Sequence, residues 1–327
     1  MKVLVVSQRL ARRLSECQDF PEDVQLVVPC KGTDEELVEL ARDVEVIVST
    51  KLSTEVAVAA KRLKFLQKTG AGVDAMPFDA LGEDVYIANT SGANPVPLAE
   101  GAVALVLSLA KRVVQRHNQF FMGRSDPIGV ELRGKTAGIL GLGSIGIEVT
   151  KRLRAFEMDI AGLKRHPTEK LKKKLGLKFL GSPKELNRFL EISDFVVVTV
   201  PLTPETEGMM GEEELRAMKT TAYIVNVARA AIIQEGPLYM ALKEGRIAGA
   251  ALDVWWVPHF WDPLWNPEGH GASKYPFWEL PNVITTPHNI GSTDSRSDAA
   301  LEIIATNIKR IFEGKPPINQ VDKKLRY

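Results

Sequence analysis

The sequence predicts an α/β fold built on parallel sheets, and three observations support that prediction. Short runs of Val, Ile and Leu alternate with segments of helical length along the chain, as expected for repeated βαβ units. The alternation falls into two series, and the second one begins at Thr136. A chain of 327 residues is also long enough for two domains of ordinary size. We therefore expect two domains assembled from such units.

The first series contains strand-like runs with helices between them. The runs span residues 3–6, 25–28, 45–48, 65–68 and 85–88, and the helical stretches include 34–42 and 54–62. A long helix follows over about 97–120, and it is apolar on nearly all sides. Because such a helix must be covered, we expect it to be buried at a domain or subunit interface.

The second series starts with the apolar run 136–140 and continues through further strands. These strands span 159–163, 195–200, 223–227, 248–253 and 283–286, and a last helix spans about 295–312. Residues 255–281 interrupt the pattern with tryptophans, prolines and no clean periodicity. A loop of that length in a compact domain is usually functional, so a lid is one interpretation, and packing across a subunit interface is the other.

Composition and charge exclude several classes of protein. The hydrophobic fraction of 45% and charged fraction of 25% are ordinary for a globular chain. The net charge of +1 gives no excess for nucleic acid or a membrane surface, and no apolar run reaches the roughly 18–20 residues that span a bilayer. Cys17 and Cys30 have no metal or redox spacing, so we expect no metal site. The first residues predict a strand rather than a signal peptide, so a cytoplasmic location is the default expectation.

A glycine-rich turn follows the first strand of the second series and precedes a helix-like run. The turn consists of Gly141, Leu142, Gly143, Ser144, Ile145 and Gly146. In this context the spacing is typical of a dinucleotide site, because the three glycines permit a tight turn, close approach of the pyrophosphate and close packing of helix on strand. The helix N-terminus then offers free N–H groups to the phosphates. The alternative is a glycine turn in an ordinary βα unit.

The end of the next strand predicts which dinucleotide binds. An enzyme specific for NAD usually carries Asp or Glu about 20 residues beyond the turn, where it bonds the ribose 2′-hydroxyl. Here Lys164, Arg165 and His166 occupy that end, with Lys164 placed 18 residues after Gly146. Since two cations attract a 2′-phosphate, we expect NADP(H) to be preferred, with NAD(H) possible. The alternative is a solvated basic turn, because residues 170–174 are also basic.

Further motifs occur in a fixed order along the chain. They are Thr69-Gly-Ala-Gly-Val-Asp74, Leu132-Arg-Gly-Lys-Thr-Ala-Gly-Ile-Leu-Gly-Leu-Gly143, Val200-Pro-Leu-Thr-Pro-Glu-Thr206, Val225-Asn-Val-Ala-Arg229, Ala251-Leu-Asp253-Val and Thr286-Pro-His288. Together they resemble the D-isomer-specific 2-hydroxyacid dehydrogenase family, and the match covers nearly the whole chain. The family includes glyoxylate and hydroxypyruvate reductases, phosphoglycerate dehydrogenases and formate dehydrogenases.

The resemblance implies a definite architecture. It implies two Rossmann-like, doubly wound parallel-sheet domains with the active site in an interdomain cleft. The NAD(P)-binding domain would comprise residues 98–287, and the substrate domain would comprise residues 1–97 and 288–327. The family is usually dimeric, and the helix that begins near Pro97 resembles its dimerisation helix, so a homodimer is expected.

The resemblance also assigns the two residues at the reacting centre. Arg229 ends an apolar strand, where its guanidinium could clamp a carboxylate and polarise the carbonyl of a 2-oxoacid. His288 follows Pro287 at another strand end and falls on the acid/base position of the family; imidazole titrates near neutrality and can supply the proton that reduction needs. The structural alternatives are an arginine at a surface strand end and a histidine without a chemical role.

Other residues match the binding positions of the family. The amides of Ala71, Gly72 and Val73 resemble the loop that holds the substrate carboxylate. Asp253 resembles the residue near the nicotinamide carboxamide, although it could instead cap a strand end. The remaining cofactor positions that the resemblance implies are Thr199, Val200, Pro201, Thr206, Val227, Ala228, Arg229, His288 and Ile290. Lys51 could meet a substrate anion, but a solvated lysine is the simpler interpretation.

The chain departs from the family at one catalytic position. The family usually carries Glu or Gln five residues after the aspartate, where it bonds the histidine, but this sequence has Pro258 there. Three explanations remain open. Another carboxylate could replace it, the candidates being Asp262, Glu268 and Glu279; the tryptophan-rich segment could orient the imidazole; or catalysis could be weak.

Two functions are therefore compared. The first is reduction of glyoxylate, hydroxypyruvate or a similar small 2-oxoacid to a D-2-hydroxyacid. The second is a catalytically weak NAD(P)-binding regulator or scaffold on the same fold. Pro258 favours the second slightly, whereas the presence of both Arg229 and His288 favours the first. The sequence does not reveal which 2-oxoacid would be the physiological substrate.

Overall fold

The chain folds into two compact units with a discontinuous boundary. The computed structural model describes residues 1–18, 20–124, 128–257, 271–293 and 296–327. One unit comprises 1–94 and 293–327, and the other comprises 95–292. The second unit therefore includes His288, which the sequence analysis placed at the start of a substrate-domain segment. The reason is local, because Ile290 packs into the apolar core of the second unit.

The first unit contains a parallel five-stranded sheet in the order β2-β1-β3-β4-β5. Its strands are β1 (Lys2–Val5), β2 (Gln25–Val27), β3 (Val46–Ser49), β4 (Phe65–Lys68) and β5 (Tyr86–Ala88). Its first helices are α1 (Gln8–Ser15), α2 (Asp34–Ala41) and α3 (Thr54–Ala59). Each of these helices is capped by a hydroxyl side chain that accepts a hydrogen bond from a backbone N–H of the first turn. The capping residues are Ser7, Thr33 and Ser53 respectively.

The second unit contains a parallel seven-stranded sheet in the order β12-β11-β10-β9-β6-β7-β8. Its strands are β6 (Thr136–Leu140), β7 (Asp159–Leu163), β8 (Phe179–Gly181), β9 (Phe195–Val198), β10 (Tyr223–Asn226), β11 (Gly249–Leu252) and β12 (Val283–Thr285). Its helices are α4 (Pro95–Lys111), α5 (Val113–Phe121), α6 (Ser144–Arg154), α7 (Glu169–Leu175), α8 (Leu186–Ile192), α9 (Glu212–Ala217) and α10 (Glu235–Lys243). The predicted α/β class with parallel sheets is thus confirmed, although the sequence analysis missed β8, a short strand at the sheet edge.

The long helix predicted over 97–120 is two helices. The chain breaks at Arg112, whose backbone is left-handed with φ 52° and ψ 42°, so α4 ends and α5 starts in a new direction. Elements α6, β10 and β11 of the same unit pack against α4, so its burial is explained within the unit, and a subunit interface at this helix stays a prediction. By contrast, α5 has no buried residue.

The strand order places a change of direction at the middle of the second sheet. From β6 the chain continues to β7 on one side, and β9 pairs with β6 on the other side. In open parallel sheets the crevice beyond such a point is where ligands bind. The glycine turn directly follows β6 and therefore lies at this position.

The two ends of the tryptophan-rich segment belong to the core of the second unit. Trp255 and Phe277 are buried, and the Trp256 ring stacks on Phe277 with centroids 5.2 Å apart. The Trp256 indole N–H donates to the carbonyl of Ile233 at 3.2 Å. For these residues core packing replaces the lid and interface interpretations. Residues 258–270, including Pro258, Asp262 and Glu268, lie outside the described part of the chain.

The last helix returns to the first unit. It is α11 (Arg296–Phe312), and its buried Asn307 donates to the side-chain oxygen of Gln67 in β4 at 2.8 Å. The Asn307 amide also bonds both backbone groups of Ile318, so it ties the C-terminal segment to the sheet. Among the helices formed by described residues, none is long and apolar enough to cross a membrane.

Candidate active site

The outer glycines of the turn are required by the backbone. Gly141 has a φ of 106°, and a Cβ atom there would lie 2.9 Å from the backbone nitrogen of Val200. A Cβ atom on Gly146 would lie 2.0 Å from the carbonyl oxygen of Gly141. Any side chain at either position would force the turn away from β9 or lift α6 from the turn.

The middle glycine faces open space, which fits a bound phosphate. Gly143 is the N-cap of α6 and makes no side-chain capping bond, and a Cβ atom there would meet nothing within 4 Å. The first turn of α6 carries no acidic residue. The helix therefore presents backbone N–H groups and its positive dipole end to an anion, so these residues fit the pyrophosphate of a dinucleotide.

The segment after β9 braces the turn from the side. The Thr199 hydroxyl donates to the carbonyl of Gly141 at 2.7 Å. The Thr206 hydroxyl donates to the carbonyl of Pro201 at 2.6 Å and accepts the Thr203 N–H at 2.8 Å. These bonds give the segment 201–206 a defined turn beside the predicted cofactor positions.

The two cations at the end of β7 both have acceptors within the protein. The Lys164 ammonium donates to the carbonyl of Leu142 in the glycine turn at 3.0 Å. Arg165 forms an ion pair with Glu205, whose side chain is 66% exposed, and His166 is exposed. The sequence analysis missed Glu205, which lies 40 residues from Arg165 along the chain. The two residues come close because β7 and β9 are the two neighbours of β6 in the sheet.

Arg229 follows β10 in a turn that Asn226 organises. Asn226 is buried; its amide donates to the carbonyl of Arg229 at 3.0 Å, and its oxygen accepts the N–H of Ala228 at 3.1 Å. The half-buried Arg229 guanidinium donates to the Ala228 carbonyl at 2.8 Å. The sequence analysis did not single out Asn226, although a polar residue in an otherwise apolar strand is a usable signal for such a turn.

A buried carboxylate holds the turn that carries His288. One oxygen of Asp253 accepts the Thr286 hydroxyl at 2.7 Å, the Asn289 N–H at 3.0 Å and the Ile290 N–H at 3.2 Å. His288 sits between these anchors with a left-handed φ of 53°, which is uncommon for a residue other than glycine. Burial raises the pKa of Asp253, and the three hydrogen bonds lower it in part. Asp253 therefore acts as the cap that the sequence analysis considered, and its contact with a nicotinamide carboxamide stays a prediction.

Two other residues fix the same turn. The Trp255 indole N–H donates to the carbonyl of Thr286 at 2.9 Å. Gly101 of α4 lies against the far end of the turn, where a Cβ atom would come within 2.5 Å of the Ile290 carbonyl oxygen. Neither contact was predicted, because each joins segments far apart in the sequence.

The loop after β4 in the first unit has the form that the anion-binding prediction requires. Asn89 donates to the carbonyl of Ala71 at 2.8 Å, and the N–H of Thr90 donates to the carbonyl of Gly70 at 3.2 Å. Within the described ranges, the N–H groups of Ala71, Gly72 and Val73 donate to no other residue. The carbonyls are thus bonded to their own unit, while the amides are available to a ligand. Lys51 is exposed on the loop after β3.

Comparison with known proteins identifies the family. The model of the D-isomer specific 2-hydroxyacid dehydrogenase NAD binding domain matches residues 103–289. The chain is 35% identical to the D-3-phosphoglycerate dehydrogenase of Methanocaldococcus jannaschii over 297 residues, which is 89% of this chain and 54% of that protein. It is 33% identical to the glyoxylate reductase of Korarchaeum cryptofilum over 300 residues, which is 88% of this chain and 86% of that one. The chain thus spans about half the length of the phosphoglycerate dehydrogenase and most of the glyoxylate reductase.

Solved structures agree with this result. An NADPH-dependent glyoxylate/hydroxypyruvate reductase from Sinorhizobium meliloti, solved with NADP and malonate, is 26% identical with a TM-score of 0.79, covering 99% of this chain and 97% of that one. A 2-hydroxyacid dehydrogenase from Xanthobacter autotrophicus, solved with NADPH and MES, is 27% identical with a TM-score of 0.80, covering 100% of this chain and 99% of that one. The fold, the glycine turn and these likenesses together show that the chain belongs to the D-isomer specific 2-hydroxyacid dehydrogenase family.

Proposed function

We propose that the protein reduces a small 2-oxoacid of the glyoxylate or hydroxypyruvate type to the D-2-hydroxyacid, with NADP(H) as the preferred cofactor. The observation that carries the proposal is the common edge of the second sheet. Because the carboxyl ends of parallel strands lie at one edge, the glycine turn after β6, Arg229 after β10 and His288 after β12 occupy the same edge. A cation, an imidazole and a dinucleotide turn are the parts that this chemistry needs.

The side chains divide the work between binding and proton transfer. The Arg229 guanidinium binds the substrate carboxylate and polarises the adjacent carbonyl, since its planar fork donates two bonds in fixed geometry. The His288 imidazole donates a proton to the carbonyl oxygen during reduction and accepts it back during oxidation. A nicotinamide cofactor bound at the glycine turn supplies the hydride. In the first unit, the amides of 71–73 are proposed to bind a carboxylate.

The small size of the proposed substrate is supported by relatives. The glyoxylate reductases match along most of their own length, whereas the phosphoglycerate dehydrogenases extend well beyond the matched region. The structure from Sinorhizobium meliloti holds malonate, a small dicarboxylate, together with NADP. These likenesses favour a small 2-oxoacid and leave its identity to a substrate panel.

Turnover tests the activity itself. Oxidation of NADPH, followed by its absorbance with glyoxylate, hydroxypyruvate and related 2-oxoacids, should show steady turnover with at least one of them. Arg229→Gln and His288→Ala should each lower kcat/KM by about 100-fold or more, because each removes a group that acts on the reacting carbonyl. Arg216→Gln, on the exposed side of α9, is the matched control.

The contrary outcome is equally definite. Tight binding of NADPH without turnover on any 2-oxoacid would refute the reductase and leave a cofactor-binding regulator or scaffold. Retention of more than about a tenth of the wild-type kcat by His288→Ala would remove the proton-transfer role.

The preference for NADP(H) has its own test. Lys164 and Arg165 stand where NAD enzymes carry a carboxylate, so kcat/KM should be higher with NADPH than with NADH. Arg165→Gln should lower kcat/KM for NADPH by about tenfold, because a charge-assisted hydrogen bond is lost, and should leave the value for NADH nearly unchanged. Lys170→Gln, exposed on the basic helix α7, is the control for general charge. A wild-type preference for NADH would reject this part of the proposal.

Asp253 should act through the position of His288. Asp253→Ala removes three hydrogen bonds and should lower the free energy of unfolding by about 2–4 kcal/mol together with kcat. Asp253→Asn keeps an oxygen that can accept the same bonds, so it should not show this loss. Equal losses in both variants would show that the charge matters more than the cap.

The pKa of Asp253 gives a pH signature with a definite sign. Burial raises this pKa above the ordinary value of 3.8, so the folded state favours the protonated carboxyl group. The contribution of this group to the free energy of unfolding is fully present below pH 3.8 and is lost as the pH rises through the folded-state pKa. Urea unfolding should therefore show Asp253→Asn gaining stability relative to wild type as pH rises from acid toward neutrality. A constant difference between the two proteins across that range would contradict the assignment.

A homodimer through α5 completes the proposal. Phe120, Phe121 and Met122 are exposed by 79%, 73% and 67%, and the rings of Phe120 and Phe121 lie 5.7 Å apart; Ile128 is 94% exposed. Exposed apolar residues clustered in this way mark an interaction surface. Light scattering should find a dimer, and Phe121→Glu should give a monomer, whereas Val58→Glu on α3 should remain dimeric. A monomeric wild type would end the dimer proposal.

A further inference from the structure

We propose that Glu205 sets the strength of the discrimination between NADP(H) and NAD(H), by competing with the cofactor 2′-phosphate for the Arg165 guanidinium. The inference rests on the proposed NADP(H) site and goes beyond it, because it assigns the control of selectivity to an anion of the protein itself. Neither the glycine motif nor the basic residues at the end of β7 point to such a residue.

The competition follows from where the ion pair lies. Lys164 bonds the Leu142 carbonyl inside the glycine turn, and the adjacent Arg165 at the same end of β7 reaches Glu205 after β9. This strand end is the position at which a dinucleotide-binding domain contacts the adenosine ribose. A guanidinium at that position is the natural donor to a 2′-phosphate. In this structure, a Glu205 carboxylate oxygen occupies one of its donors.

Glu205 belongs to a hydrogen-bonded turn that fixes its backbone. Glu205 lies within the turn whose Thr206 hydroxyl bonds the Pro201 carbonyl and the Thr203 N–H at 2.6 and 2.8 Å. The N–H of Thr206 also donates to the carbonyl of Thr203 at 3.0 Å. The backbone therefore keeps the carboxylate near Arg165, while the 66% exposure of the Glu205 side chain leaves it free to rotate away into solvent.

Charge determines the direction of the effect. Lys164, Arg165 and Glu205 together carry a net charge of +1, and removal of the carboxylate raises it to +2. A phosphate monoester carries about −1.5 to −2 charges at neutral pH, so it can displace a single carboxylate from Arg165. Part of the binding free energy is then lost, because the Arg165–Glu205 ion pair must break and the displaced carboxylate repels the phosphate. A cofactor without the 2′-phosphate meets neither cost. Glu205 therefore weakens the binding of NADP(H) selectively.

The experiment uses the adenosine half of the cofactor, so that binding is measured apart from turnover. Calorimetry of adenosine 2′,5′-bisphosphate and of adenosine 5′-monophosphate isolates the contribution of the 2′-phosphate in each protein. Glu205→Gln should lower the Kd of the bisphosphate by about fivefold and leave the monophosphate unchanged, as expected for loss of one partly exposed ion pair. Glu207→Gln, an exposed carboxylate two residues along the same turn, is the matched control and should change neither Kd.

A double substitution distinguishes direct competition from a general change in charge. In the Arg165→Gln background, Glu205→Gln should no longer strengthen bisphosphate binding, because the shared partner is absent. An unchanged Kd in Glu205→Gln, an equal effect in Glu207→Gln, or an effect that persists without Arg165 would each overturn the inference.

The outcome also separates this inference from the NADP(H) proposal. If wild type binds both nucleotides equally well but Glu205→Gln gains affinity for the bisphosphate, the preference for NADP(H) is wrong and the competition is supported. If wild type prefers the bisphosphate and Glu205→Gln does not change that preference, the NADP(H) proposal is supported and the competition is refuted. Melting temperatures of all variants check that each protein is folded.

Discussion

The candidate site depends on one buried carboxylate. Asp253 is 1% exposed, and a single oxygen of it accepts one hydroxyl and two backbone N–H groups from the turn after β12. These bonds help to hold His288 at a positive φ, a conformation that costs energy outside glycine. The interaction converts the end of a strand into a rigid support for an imidazole. The cost of burying the charge is visible in the raised pKa of Asp253.

The parallel sheet then determines which residues can work together. Each functional segment of the second unit follows a strand, and all strands run in one direction, so their loops emerge at one edge. At two of these positions a buried polar side chain organises the turn: Asn226 before Arg229, and Asp253 beneath the His288 turn. The turns that carry the functional side chains are thus held by hydrogen bonds from these buried polar residues. This explains why a buried Asn and a buried Asp stand at the ends of otherwise apolar strands.

The sequence predicted the parts of this arrangement that local chemistry determines. The strands of both sheets other than β8 were predicted because runs of Val, Ile and Leu between helical segments have a clear pattern, and the glycine turn was predicted because its spacing follows from backbone geometry. The break at Arg112 was missed because no glycine or proline marks it in the sequence, and Arg112 itself adopts the left-handed backbone. The pairing of Arg165 with Glu205 and the contact of Gly101 with Ile290 were missed because they join distant segments, and single-sequence patterns carry no such information.

The same contacts bear on the replacement of the family carboxylate by Pro258. A carboxylate beside a catalytic histidine can do two things, namely fix the position of the ring and stabilise its charged form. Here the backbone position of His288 is already fixed from three sides, by Asp253, by the Trp255 indole on Thr286 and by Gly101 against Ile290. Of the two roles of the family carboxylate, placement of the turn is thus supplied by these three contacts, none of which involves position 258.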